Sequence, residues 1–115
     1  MSRRWTEITD KASLDELTEH CKSQPSFLFI TNSSLPVHKT FQLIFEDVAN
    51  DSSNEDIHFC LMDYSDTTSP LMKFAPNQLP VLIVMHGESW CRTVMGADRK
   101  RMQALLQELK AAYKQ

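Results

Sequence analysis

The chain has 115 residues, of which 42% are apolar and 23% charged, the balance of an ordinary globular domain long enough to bury a core. A net charge of −3, with no run of Lys and Arg able to neutralise phosphates, argues against nucleic acid as a partner. The apolar runs are shorter than a membrane span and Met1-Ser2-Arg3-Arg4-Trp5 lacks a signal-peptide core, so the expectation is one domain over 1–115, cytoplasmic, reducing and away from membranes.

Trp5-Thr6-Glu7-Ile8-Thr9 reads as a short first strand. Asp10 and Lys11 lead into a helix that opens on a capping box from Ser13 to Glu16 and carries Leu14, Leu17 and Cys21 on one side. Gln24-Pro25 ends it. Phe27 to Ile30 is apolar at every position, as a central strand covered on both faces requires. A long helix is predicted from Pro36 to about Asn50, with Val37, Phe41, Ile44, Phe45 and Val48 at helical spacing. Pro36 falls in its first turn, where a missing N–H costs little. Asn50 to Asp56 is polar without an apolar anchor, and is expected to be the most mobile loop.

Ile57 to Met62 reads as the next strand, and Asp63 to Pro70 leads to a short helix with Leu71, Met72 and Phe74. Asn77-Gln78-Leu79-Pro80 precedes a strand from Val81 to Met85. His86-Gly87-Glu88-Ser89 then forms a hairpin turn, and Trp90 to Met95 returns antiparallel at the sheet edge. Gly96 closes that strand and Asp98 caps a last helix with Met102, Leu105, Leu106, Leu109 and Tyr113 on one stripe. Its first turn, Arg99-Lys100-Arg101, reads as a solvated face. The order β-α-β-α-β-α-β-β-α predicts an α/β fold with a mixed central sheet and helices on both faces.

The strand ending at Ile30 runs through Thr31-Asn32-Ser33-Ser34-Leu35 directly into the helix at Pro36, which leaves free N–H groups and a positive dipole end at one corner. No cysteine and no acid stands there. Ser34 and His38 lie four apart, but a helix N-cap with a solvated histidine accounts for both without a catalytic base. His20, His58 and His86 show no metal-site spacing, so neither metal nor cofactor is expected. The three cysteines are odd in number and include no CxxC. Cys60 alternates with His58 and Met62 on a buried strand and reads as inert core, while Cys91, beside Trp90 on the edge strand, is the candidate reactive thiol.

Three local features resemble the thioredoxin superfamily, and the match runs nearly end to end. Asn32-Ser33-Ser34-Leu35-Pro36-Val37 occupies the place of the family's W-C-G-P-C, with Ser34 and Val37 on the cysteine positions. Gln78-Leu79-Pro80-Val81-Leu82 resembles G-I-P-T-L, which implies a cis bond before Pro80. Gly87-Glu88 and Val94-Met95-Gly96-Ala97 resemble the N-G-E turn and the V-G-A ending.

The departures from the family pattern point away from its chemistry. Ser34 supplies no thiolate, Val37 resolves no mixed disulfide, and the buried acid of the preceding strand falls at Leu28. The resemblance therefore implies a thioredoxin-like domain that is redox-inactive at this corner and not an enzyme there. By the same resemblance Ser33, Ser34, Leu35, Pro36, Gln78, Leu79, Pro80 and Met95 line a groove for an extended polypeptide. The expected partner is a protein, as for an adaptor, assembly subunit or chaperone-like factor, with weak self-association through the Trp90 strand as a further expectation. The alternative is an enzyme of monothiol or glutathione-linked chemistry.

Overall fold

In the computed structural model, residues 5–32, 36–54, 56–64, 79–87, 90–95 and 99–113 are described. Five strands, β1 (Trp5–Glu7), β2 (Ser26–Thr31), β3 (His58–Asp63), β4 (Val81–His86) and β5 (Trp90–Met95), form one sheet in the order β1-β3-β2-β4-β5. β1, β3 and β2 run parallel, whereas β4 and β5 run antiparallel to their neighbours. Among the described residues three helices flank it: α1 (Lys11–His20), α2 (Pro36–Ala49) and α3 (Arg99–Tyr113). The mixed sheet and the edge position of β5 match the sequence expectation. The helix expected around Leu71, Met72 and Phe74, the Asp98 cap and the tip of the hairpin at Glu88 and Ser89 lie outside the described residues.

β2 is central because every residue in it is buried, so both faces need cover. Strand alternation divides its side chains. Phe27 and Phe29 face α2 and α3, in a core with Phe45, Phe59, Leu82, Val84, Met102, Leu105 and Leu109. Leu28 and Ile30 face α1, in a second core with Ile8, Leu17, Cys60, Met62, Leu79, Val81 and Ile83. Phe45 is the hub of the first core. It stacks on Phe29 with ring centroids 5.2 Å apart and meets Phe59 and Trp5 edge to face at 6.0 and 6.1 Å. Burying such a ring contributes roughly 1.5–3 kcal/mol, so the aromatic residues of β2 and α2 fix how that helix sits on the sheet.

Several boundaries differ from the sequence reading. β1 stops at Glu7, although Ile8 N still donates to Leu61 O at 2.8 Å. β3 starts at His58 and continues to Asp63, because Thr31 extends β2 and pairs with it. β4 runs one residue further, to His86, which pairs with Trp90. The box that opens α1 is one turn earlier than expected. Asp10 is the N-cap: its carboxylate accepts from Ser13 N at 2.9 Å, and the Ser13 hydroxyl lies 3.1 Å from Asp10 N, which donates to it. Asp10 outcompetes Ser13 because the charged cap binds the free N–H groups more strongly, and the same bonds hold its carboxyl below the usual range.

The polar loop after α2 is also anchored, contrary to expectation. A single 3-10 turn, Ser52–Asn54, carries Asn54 into a buried position, where its amide donates to Val48 O at 3.0 Å and its carbonyl accepts from Lys110 Nζ at 2.8 Å. A polar side chain does here what an apolar anchor does elsewhere. The basic first turn of α3 is exposed, as expected, yet two of its residues are tied down: Arg99 to Asp47 at 2.8 Å and Arg101 to the Met95 carbonyl at 2.6 Å.

Candidate functional site

The sheet register brings the ends of β2 and β5 and the start of β4 to one end of the sheet. Ile30 of β2 pairs with Val81 of β4, and Val81 pairs with Met95 of β5, so these three residues form one row across adjacent strands. Just past that row, β2 leaves for the corner and α2, the Leu79–Pro80 bond enters β4, and β5 leaves for α3. The three segments therefore converge because the register requires it. The Leu79–Pro80 peptide bond is cis, as the resemblance implies.

The individual residues divide into four groups. Ser33, Ser34, Leu35 and Gln78 lie outside the described residues, as does the side chain of His38. Pro36 and Val37 begin α2. Met95 is 54% exposed, an uncommon position for a large apolar side chain, with its backbone carbonyl capped by Arg101. Leu79 and Pro80 are buried, and Leu79 packs with Ile30 and Val81 in the α1-side core. What the Leu79 side chain offers is therefore packing beneath the site; a substitution there would read folding before binding.

Leu28 is fully buried and apolar, and no residue of β2, Ser26–Thr31, carries a carboxyl group. Thr31, the last residue of β2, is also fully buried. Its carbonyl accepts from Tyr64 N at 2.6 Å, but its hydroxyl has no hydrogen-bond partner among the described residues.

Away from the corner, the histidines are less isolated than their spacing suggested. The rings of His20 and His58 lie with centroids 4.1 Å apart. His20 Nε2 lies 2.6 Å from Gln24 Oε1, and the Gln24 amide donates to Asp56 O at 3.0 Å, which orients its carbonyl towards His20. Burial, then the neighbouring His20, holds His58 below the usual imidazole range. The two rings are tilted by 44° to one another, and no group of three or more potential metal ligands occurs among the described residues. Only tertiary structure joins the end of α1 to the start of β3, so no sequence signal marks this pair.

Cys60 is fully buried at the centre of β3, and burial pushes its thiol up to about 12. Cys91 is exposed on β5, and Cys21 is buried at the end of α1; none is disulfide-bonded. An open cleft of about 490 Å³ lies between α2 and α3, but its lining charges Asp47, Asp51, Arg99 and Lys110 already have protein partners. No described helix is long and apolar enough to cross a membrane.

No family model and no curated protein matches the chain. Solved structures do. Thioredoxin f from spinach chloroplast (long form) is 16% identical, with a TM-score of 0.78 over 93% of this chain and 87% of that one. The Malassezia sympodialis thioredoxin Mala s 13 is 14% identical, with a TM-score of 0.73 over 93% and 91%. Oxidised thioredoxin O2 from Arabidopsis thaliana is 15% identical, with a TM-score of 0.73 over 95% and 96%. The fold is thioredoxin-like; at these identities the likeness extends to the fold and not to an activity.

Proposed function

We propose that this protein binds an extended polypeptide at the end of the sheet where β2 ends, Pro80 enters β4 and Met95 ends β5, and that it does so without dithiol chemistry at the corner that follows β2. The observation that carries this reading is the row Ile30, Val81 and Met95, which sets an exposed methionine beside the strand entered through Pro80. A flexible, polarizable, exposed side chain suits a contact with another chain. By the sequence resemblance Ser34 and Val37 take the two cysteine positions, and a serine hydroxyl does not ionise as a thiol does. Backbone groups near Pro80 would pair with the bound segment, with Leu35 and Met95 contacting its side chains.

The test is a pull-down from native cell extract without reductant or crosslinker, comparing wild type with Leu35→Asp and Met95→Asp. A stoichiometric set of partners lost from both variants supports the reading. Retention of every partner by both variants overturns it.

A further inference from the structure

The opposite end of the sheet holds a second arrangement of thiols. α1 ends at His20 and Cys21 turns the chain towards the β4–β5 hairpin. Cys21 O accepts from Gly87 N at 2.7 Å, while Cys21 Sγ donates to Thr18 O at 3.1 Å and approaches Gly87 O at 3.7 Å. Gly87, with φ at +70°, opens the turn in a backbone region that L side chains rarely adopt. The end of α1 is thus fastened to the start of the hairpin by backbone and side chain alike.

The hairpin register then places Cys91. His86 pairs with Trp90 and Met85 with Cys91, and opposed antiparallel residues have Cα atoms about 4.5–5.5 Å apart with side chains on one face. Met85 packs on the α1-side core, so Cys91 projects to the face that α1 covers. On the other face, Arg92 of the same strand reaches Glu108 of α3 at 3.1 Å, as alternation requires. Cys21 and Cys91 therefore share one face and one end of the sheet, next to the same turn. Cys21 is 4% exposed and Cys91 is exposed. Burial raises the Cys21 thiol, and a lesser part of that rise comes from the charge of a Cys91 thiolate nearby.

We propose that Cys21 and Cys91 form a dithiol site that exchanges with low-molecular-weight disulfides such as oxidised glutathione and closes to a disulfide joining the end of α1 to β5. The Cys91 thiolate attacks one sulfur of the glutathione disulfide, forming a mixed disulfide and releasing one glutathione thiolate. Cys21 then loses its proton to solvent and attacks Cys91 Sγ, and the second glutathione leaves as thiolate. Both protein thiols are oxidised, one disulfide is reduced to two glutathione molecules, and the two protons lost by the protein match the two that the glutathione thiolates take up.

The exposed cysteine meets the oxidant and the buried one resolves, a division set by accessibility. Because burial raises the Cys21 thiol, the second step accelerates with pH. Cys60 is excluded, being fully buried at the centre of β3. Cys91 lies opposite Met85 and Cys21 beside Gly87, about 13 and about 20 Å from Val81 at about 3.3 Å per residue, so the proposal stands apart from the peptide-binding reading.

The experiment incubates the full chain with oxidised glutathione at mildly alkaline pH, quenches with acid and compares intact masses and unreduced peptide maps. Expected in the wild type is a transient single glutathione adduct on Cys91, giving way to loss of two hydrogens and a linked Cys21–Cys91 peptide pair. Cys21→Ser should trap the adduct on Cys91, Cys91→Ser should show no closure, and Cys60→Ser should behave as wild type. A wild-type adduct on Cys91 that never closes, a Cys91-linked dimer, a linkage through Cys60, or no reaction overturns the proposal. The wild-type peptide map decides by itself should a variant fail to fold.

Discussion

The rings of His20 and His58 are packed together, centroids 4.1 Å apart and planes inclined at 44°, although one ends α1 and the other opens β3. Thr6 Oγ1 of β1 lies 3.3 Å from His58 Nε2, and Cys60 Sγ lies 3.8 Å from His58 Nδ1. Burial is the larger reason that His58 resists protonation, and the possible charge of His20 is the lesser one. The unfolded chain takes up this proton near pH 6.5, whereas the folded chain takes it up only at lower pH. Stability should therefore fall as pH drops below that value and level off once folded His58 protonates. The urea midpoint is expected to fall between about pH 7.5 and about pH 5, with a smaller fall in His58→Gln. His20→Gln should recover a lesser part. An unchanged acid limb in His58→Gln would remove His58 as the cause.

Asn54 carries the second prediction. Its side chain spans Val48 O and Lys110 Nζ, and its backbone N–H and carbonyl close the 3-10 turn, from Asp51 O at 3.0 Å to Ile57 N at 3.0 Å. Asn54→Ala leaves a buried carbonyl without its donor, which costs about 1–3 kcal/mol. Lys110→Met should cost a similar amount, because it removes the donor from the buried Asn54 carbonyl as well as from Ser53 O. Chemical denaturation checks both values. Amide exchange should show protection lost over 51–57 in Asn54→Ala; retained protection would show that the turn holds without its anchor.

Much of this architecture is legible in the sequence, and the exceptions have a common cause. Phe27 to Ile30, Val81 to Val84 and the Met102–Leu105–Leu106–Leu109 stripe declare themselves because hydrophobic periodicity reflects burial directly. Pro36, Pro80 and Gly87 are readable because backbone geometry restricts what can occupy their positions. The anchored loop was not readable, since Asn54 resembles any other polar loop residue until Val48 and Lys110 are brought beside it. The same holds for His20 with His58 and for Cys21 with Cys91. Leu79 fails differently: sequence places it next to Pro80, but only the fold determines that its side chain turns into the core.

Cys60 supplies a probe of global opening. It has no exposed surface, and burial drives its thiol to about 12, so both access and ionisation oppose alkylation in the folded state. Iodoacetamide near neutral pH should modify Cys91 and leave Cys60 untouched. Cys60 labelling should rise with urea in parallel with the loss of folded protein, read by mass spectrometry of the peptide containing it. Labelling of Cys60 in buffer at a rate comparable with Cys91 would show that β3 opens locally.

Thr31 ends β2 with a fully buried side chain on the α2 face, in line with Phe27 and Phe29. Its carbonyl is used by Tyr64 N, but its hydroxyl finds no hydrogen-bond partner among the described residues. A buried hydroxyl without a partner gives up its water bonds and gains nothing in return, a loss of about 1–3 kcal/mol. Valine has nearly the same shape and the same β-branched preference for a strand. Thr31→Val is therefore expected to raise stability by about 1 kcal/mol, with the urea slope unchanged. Thr31→Ser, which keeps the hydroxyl and removes the packed methyl, should lower it by about 1 kcal/mol. Destabilisation by Thr31→Val would mean that the hydroxyl is satisfied in solution, by a water or by the corner that follows it, and would make Thr31 part of that corner's hydrogen-bonding network.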